Sequence, residues 1–399
     1  MESIHPNGER IKRFRELKAT LRTQRDRLLV GIDVAKAAAV AQIRLAHTRI
    51  LERQVVLPMT TAGFTAFWRR LERHQRVTGA QVIVVALEPT GTYHQALAAF
   101  LVAQGADVVL VDNHVARLNR RTLDRTWDKH DAKDAANLCD LLEQGKVLFY
   151  SQLAEPLASL RRLVRLLRRA RVELGACKTR WQNTLRPALG PVGDPLPPAV
   201  AAALPAPLRA WCPAAERPGG PGRRRALPPG LTAELADLAA RGTAVQQRIA
   251  ALEATLTRCA APLPATGLLD SLPGVGETLA AILVAEIGEI TWYTKFSQLR
   301  KLAGLDIIRL QSGQWAGTAR ISRCGRPLLR WALYQAALGA SRTPAWRAKR
   351  AALLAKRQGD PHAFFKANVE LAAKLLRLVW GVWRSGRPYT SAWALPPAA

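Results

Sequence analysis

Leu28-Leu29-Val30-Gly31-Ile32-Asp33 is the stretch on which the fold turns. A short apolar run that ends in an acid reads as a buried strand delivering one carboxylate to the edge of a sheet. A second run, Val82-Ile83-Val84-Val85-Ala86-Leu87, ends the same way at Glu88. Between them Ala38–Leu45 and Ile50–Leu57 read as strands separated by hairpin-length gaps, and Thr60–His74 has helical periodicity. Beyond Glu88 a helix is expected over Tyr93–Gln104, a short strand over Asp107–Val111 and a helix over Asp131–Glu143. Asp131 and Asp134 stand three apart at the start of that last helix and so share its face.

Three antiparallel strands followed by two βα units is the order of a RuvC-like, ribonuclease H-like domain, here residues 28–147. In that fold the active carboxylates lie on the first and fourth strands and on the last helix. Those elements carry Asp33, Glu88 and the Asp131/Asp134 pair. Four carboxylates are a hard oxygen donor set suited to Mg²⁺ or Mn²⁺, and two such ions roughly 4 Å apart flank a phosphoryl group in transfer. A blander reading exists for each acid: a lone Asp after a strand is often a turn residue, and Asp131 could serve only as an N-cap. Pro89-Thr90-Gly91-Thr92-Tyr93 forms a Gly turn beside the acids, and Lys129 and His130 flank the Asp pair as phosphate contacts.

The chain has 399 residues, 49% of them hydrophobic, and a formal charge of +29. That length allows two or three domains, and that charge calls for a polyanionic partner, nucleic acid before an anionic membrane. No apolar run is long enough to span a membrane, and no signal-peptide pattern precedes Asp33. The five cysteines (Cys139, Cys177, Cys212, Cys259, Cys324) and seven histidines are scattered, which argues against structural zinc and for an intracellular, reducing compartment; for a nucleic-acid enzyme of a prokaryote the expected place is the cytoplasm, in association with the nucleoid.

Residues 1–27 form a basic N-terminal arm, either a helix against phosphates or a solvated tail. Residues 148–186 hold a basic helix with an apolar seam (Leu160, Val164, Leu167, Arg171, Leu174), and its exposed positions include Arg161, Arg165 and Arg168. A Pro-rich insertion occupies 187–230. A second seam over 231–262 (Leu231, Leu235, Leu238, Gly242, Val245, Ile249, Leu252, Leu256) suggests an antiparallel coiled coil or an oligomerisation arm. Helical propensity in an Ala-rich segment would give the same pattern without a partner.

Residues 263–399 read as mostly helical. Leu272-Pro273-Gly274-Val275-Gly276 resembles a helix-hairpin-helix turn, in which Gly274 and Gly276 would offer N–H groups to a phosphate. Arg320, Arg323, Arg326 and Arg330 follow, with Trp315, Trp331 and Trp346 interleaved for stacking or, individually, for core packing. Gln311-Ser312-Gly313 lies in a polar loop where a serine is free to attack, although most Ser-Gly pairs are turns. Ser297 and Ser322 compete with it on that ground.

Gly31-Ile32-Asp33-Val34-Ala35-Lys36, Glu88-Pro89-Thr90-Gly91-Thr92-Tyr93 and Asp131-Ala132-Lys133-Asp134-Ala135 together resemble the DEDD transposases of the insertion-sequence one-ten family. Leu302-Ala303-Gly304-Leu305, Gln311-Ser312-Gly313 and Ser322-Arg323-Cys324-Gly325 extend the resemblance into the second half. The basic arm and the 187–230 insertion depart from the family pattern. The resemblance implies four metal-binding carboxylates at Asp33, Glu88, Asp131 and Asp134 and a nucleophilic serine at Ser312. It also implies a structured bridge RNA that pairs with donor and target DNA, and a dimer or tetramer with composite active sites. The expected activity is RNA-guided recombination through a covalent serine intermediate. Two rivals stand beside it: a metal-dependent, RuvC-like junction-resolving nuclease with no covalent step, and a non-catalytic nucleic-acid-binding protein.

Overall fold

The computed structural model describes residues 8–89, 91–123, 128, 130–150, 153, 155–185, 228–309, 311–312, 315–317 and 319–390. They fall into two compact units that meet between residues 152 and 153. The fold is mixed α/β in the first unit and almost wholly helical in the second.

In the first unit, strands β1 (Arg27–Val34), β2 (Ala38–Leu45), β3 (Arg49–Pro58), β4 (Val82–Leu87), β5 (Asp107–Leu110) and β6 (Leu148–Phe149) form one sheet in the order β3-β2-β1-β4-β5-β6. β1 pairs antiparallel with β2 and parallel with β4, with Leu28 opposite both Leu45 and Ile83. Period-two alternation divides β1 between two cores. Leu28, Val30 and Ile32 pack with Phe64, Phe67 and Leu71 of α2 (Thr61–Thr78) and with Leu97 and Leu101 of α3 (His94–Ala103). Leu29 faces the opposite layer with Val84, Ala86 and Leu138, Leu141 and Leu142 of α5 (Asp131–Glu143). Helices on both faces explain why β1 and β4 are continuous apolar runs rather than alternating ones. This architecture is consistent with a ribonuclease H-like domain.

Residues 8–20, read above as part of a basic arm, form α1 (Gly8–Thr20). Its Leu17, with Leu21 just beyond it, is buried in the α5-side core. Several of the segment's cations bind the unit itself. Arg10 donates to the Tyr150 carbonyl, Lys18 to that of Val147 and Arg22 to that of Gln144, while Arg13 pairs with Asp107.

The second unit opens with α6 (Leu157–Leu185) and α7 (Pro229–Ala260). Arg171 meets Glu253 and Thr184 meets Glu234, so the two helices run antiparallel. Both apolar seams turn inward: Leu160, Val164 and Leu167 are buried from α6, and Leu235, Leu238, Gly242, Val245 and Leu256 from α7. Of the 187–230 insertion, all but Pro228–Gly230 lies outside the described residues; Pro229 begins α7. The remaining helices are α8 (Pro264–Asp270), α9 (Glu277–Ile287), α10 (Phe296–Ala303), α11 (Pro327–Ala340), α12 (Pro344–Ala355) and α13 (Ala363–Ser385). Leu269, Leu283, Leu333, Trp346 and Leu375 are among their shared core. Two small ribbons complete the unit: β7 (Ile307–Ile308) with β10 (Arg320–Ile321), and β8 (Gln311–Ser312) with β9 (Trp315–Ala316).

Candidate active site

The alternation that buries Leu29 toward α5 puts Gly31 and Asp33 on the same face of β1. On β4 it likewise puts Glu88 on the face of Val84 and Ala86. Ile32 pairs with Leu87 across the parallel ladder, so Asp33 and Glu88 follow as neighbours at the carboxyl end of adjacent strands. Both are half-buried.

Gly31 brings the helix to them. A Cβ at this position would lie 2.3 Å from the Ala135 carbonyl oxygen and 2.8 Å from the Cys139 nitrogen, so the α5 backbone rests directly on β1. The first turn of α5, with Asp131 and Asp134, is therefore held to the acidic edge. Cys139 fixes the same contact, with its thiol 3.5 Å from the Gln42 carbonyl oxygen; full burial pushes that thiol up to about 12.

Asp134 is buried and Asp131 exposed. Asp131 is not the helix cap, because His130 takes that place and its Nδ1 accepts the Lys133 N–H at 3.1 Å. Lys133 is itself buried and reaches Asp128 at 3.1 Å. The His130 Nδ1 is thus engaged at the helix start, while the ring is exposed and its Nε2 lies 3.4 Å from Asp128. Lys129, Thr90 and Gly313 lie outside the described residues.

The residue that sequence reading missed here is Arg120. It lies on α4 (Asn113–Leu123) and donates to Asp134 Oδ1 at 2.6 Å. Asn119 of the same helix donates to Asn137 Oδ1 and Asp140 Oδ2, while Asn137 donates to the Ala116 carbonyl at 2.8 Å. α4 is polar overall and buries only Ala116. Its legible signal is Asp112, whose Oδ1 accepts the His114 and Val115 N–H groups as an N-cap does.

The donor set fits divalent cations: four hard carboxylates, two at neighbouring strand ends and two on a helix pressed against one of those strands. The guanidinium on Asp134 marks the demand of that carboxylate for a positive partner. As the side chains stand, no three acidic, His or Cys groups among the described residues lie within joint ligating reach of one ion. Asp134 is instead held by the Arg120 guanidinium.

Ser312 belongs to the second unit. It is exposed on β8, opposite Trp315 in the ribbon. Its competitors differ. The Ser322 Oγ is sealed from solvent without a hydrogen-bond partner among the described residues, and Ser297 is exposed in the first turn of α10.

The predicted nucleic-acid residues divide into two sets. Arg161 and Arg326 close the carboxyl end of α9, Arg161 donating to the Ala285 carbonyl at 3.0 Å and Arg326 to that of Glu286. Burial first, and the charge of Arg326 second, push Arg161 down to about 10. Arg330 is tied to the Ala303 carbonyl at 3.0 Å. Gly274 has φ +76° and rests on α11, where a Cβ would lie 2.1 Å from the Ala340 nitrogen. Its place is set by helix packing, whereas Gly276 is open. Arg165, Arg168, Arg320 and Arg323 remain exposed.

Among the described residues no helix is long and apolar enough to cross a membrane. The family model for the Transposase IS116/IS110/IS902 family matches residues 266–367, and the IS110 DEDD model, described as a transposase, matches residues 30–191. The chain is also 28% identical, over 172 residues, to the insertion element IS116 uncharacterized 44.8 kDa protein of Streptomyces clavuligerus. That alignment covers 43% of this chain and 41% of the relative's length. The DEDD match contains all four carboxylates at the β1–β4 edge, the second match contains the Ser312 ribbon, and the chain belongs to the IS110 family of DEDD transposases.

Proposed function

We propose that this chain is a DNA transposase that cuts and rejoins strands through Ser312, assisted by divalent cations held by Asp33, Glu88, Asp131 and Asp134. The reading is supported by Asp33 and Glu88 as neighbours beyond the paired ends of β1 and β4, by Asp131 and Asp134 on the helix that rests on β1, and by a separate exposed serine on a ribbon of the second unit. In the proposed step the Ser312 Oγ attacks a DNA phosphorus. The Oγ–P bond forms, the bond from phosphorus to the 3′ oxygen breaks, and the serine proton ends on the released 3′ hydroxyl. Reversal by a different 3′ hydroxyl reseals a new strand pair, and no external energy source is needed because the number of phosphoester bonds is unchanged. Cations bound at the carboxylates would supply charge neutralisation at the phosphate and favour the ionised hydroxyl. Whether Mg²⁺ or Mn²⁺ serves, the protein's part is to position the acids on rigid elements, through Gly31 and the α4–α5 network.

Sequence choice by a bridge RNA pairing with donor and target DNA fits the charge of +29, which suits backbone reading. The acids and the serine occupy different units, which is compatible with composite sites shared between subunits of a dimer or tetramer. The junction-resolving nuclease reading draws on one observation, that all four acids lie in the first unit and Ser312 does not. Cleavage assays on Ser312→Ala and Asp33→Asn separate the two. Loss in both variants is expected here; cleavage retained by Ser312→Ala would favour the nuclease.

A further inference from the structure

Within the second unit, α6, the carboxyl end of α9 and the first turn of α11 border a cleft of about 700 Å³. Five guanidinium groups line it, from Arg161, Arg165, Arg168, Arg169 and Arg326. Its two carboxylates are already engaged, Glu173 by Arg248 and Glu286 by Arg326. Arg165, Arg168 and Arg169 are exposed and have no carboxylate partner among the described residues. The cleft therefore concentrates positive charge that the protein does not neutralise. The depressed Arg161 shows the same crowding, with Arg326 contributing after burial. α11 begins at Pro327 with no side-chain cap, so its first N–H groups and the positive end of its dipole add to the field.

A second cavity of about 380 Å³ adjoins the first and shares Arg168, Val172, Pro327 and Leu328 with it. Val164, Leu167, Ile282 and the Trp331 indole give it an apolar wall, and Arg171, paired with Glu253, lies over the indole with its guanidinium 4.7 Å from the ring centroid. An arginine-rich cleft opening onto an apolar slot with an aromatic ring matches the two halves of a nucleotide. Guanidiniums hold the phosphate and the slot takes the base. Both volumes are those of single ligand-sized groups. A base enters such a slot only when it is unpaired and unstacked, which favours a single strand over a duplex.

We propose that this double cleft holds a single-stranded stretch of nucleic acid, its backbone on Arg165, Arg168 and Arg169 and one base against Trp331. The biological setting rests on the transposase reading above, but the test needs binding only. Full-length protein is titrated with labelled oligo(dT) and oligo(rU), read by fluorescence anisotropy, between about 50 and 200 mM salt. The triple variant Arg165→Ala/Arg168→Ala/Arg169→Ala should weaken binding about tenfold or more and flatten the log–log salt slope by about 2, three contacts at roughly 0.7 each. A charge-matched triple on the exposed face of α2, Arg69→Ala/Arg73→Ala/Arg76→Ala, should leave the slope near wild type. Trp331→Leu should weaken binding about tenfold with an unchanged slope, because stacking releases no counterions. Thermal melts exclude unfolded variants from the comparison. Loss with both oligonucleotides assigns the cleft to either strand type, and loss with oligo(rU) alone assigns it to RNA. A wild-type slope in the α6 triple, or an equal loss in the α2 triple, overturns the proposal. Strand cleavage through Ser312 is a separate readout, so the cleft can fail while the catalytic reading stands.

Discussion

Replacing Gly31 with alanine tests the contact that brings the acids together. The added Cβ would lie 2.3 Å from the Ala135 oxygen, 2.8 Å from the Cys139 nitrogen and 2.9 Å from the Leu138 Cβ. Two of these neighbours are backbone atoms of α5 and cannot rotate away. An ordinary carbon–oxygen contact is about 3.3 Å or longer, so α5 must retreat by roughly 1 Å. Overpacking of this kind costs about 1–3 kcal/mol. For a unit of this size each kcal/mol lowers the melting temperature by about 2–4 °C. Asp134 precedes Ala135 and moves with the helix, and a misplacement of about 1 Å can slow a positioned reaction about 10²-fold. The assay pairs calorimetry with strand cleavage. Gly175→Ala is the control, since its Cβ would meet nothing within 4 Å and it lies inside α6. That change should be neutral or stabilise by about 0.5–1 kcal/mol. A Gly31→Ala protein that melts and cleaves like wild type would refute the argument that β1 and α5 touch backbone to backbone.

Three further outcomes follow from the same geometry. Asn137→Ala removes a buried amide that joins α4 to α5, and should cost about 1–3 kcal/mol by denaturant titration because the Ala116 carbonyl loses its donor. Native protein treated with a thiol reagent near pH 8 should label the exposed Cys324 and spare Cys139. The Cys139 thiol, raised from its ordinary 9.0 to about 12, stabilises the fold below pH 9, and that contribution disappears as pH rises toward 12. Mg²⁺ or Mn²⁺ at ten times its dissociation constant should stabilise wild type by about 1.4 kcal/mol in a thermal shift and leave Asp33→Asn/Asp134→Asn unmoved.

The acidic edge was legible because each of its elements has a strong local signal. β1 and β4 are apolar runs bounded by an acid, and α5 begins at a paired Asp motif. The α6 and α7 seams were legible for the same reason, since their apolar positions alternate three and four apart and the buried residues follow them. α4 was not, because only Ala116 of its residues is buried and its cap, Asp112, is a single residue. α1 was obscured by its charge. Two leucines bury a segment that composition reads as an arm, and its arginines bind carbonyls that no sequence pattern displays. The roles of Arg161, Arg326 and Gly274 were hidden likewise, since a helix terminus to be capped and a helix backbone to be approached exist only once the chain has folded.

The most direct test of the account is to trap the protein–DNA adduct and locate it. Wild type and Ser312→Ala are incubated with DNA, flank-derived RNA and a divalent cation, resolved on a denaturing gel, and any adduct is digested for mass spectrometry. The account predicts a protease-sensitive adduct in wild type only, with the nucleotide on the peptide containing Ser312. Cleaved DNA with no adduct, or an adduct mapped to another residue, would contradict it.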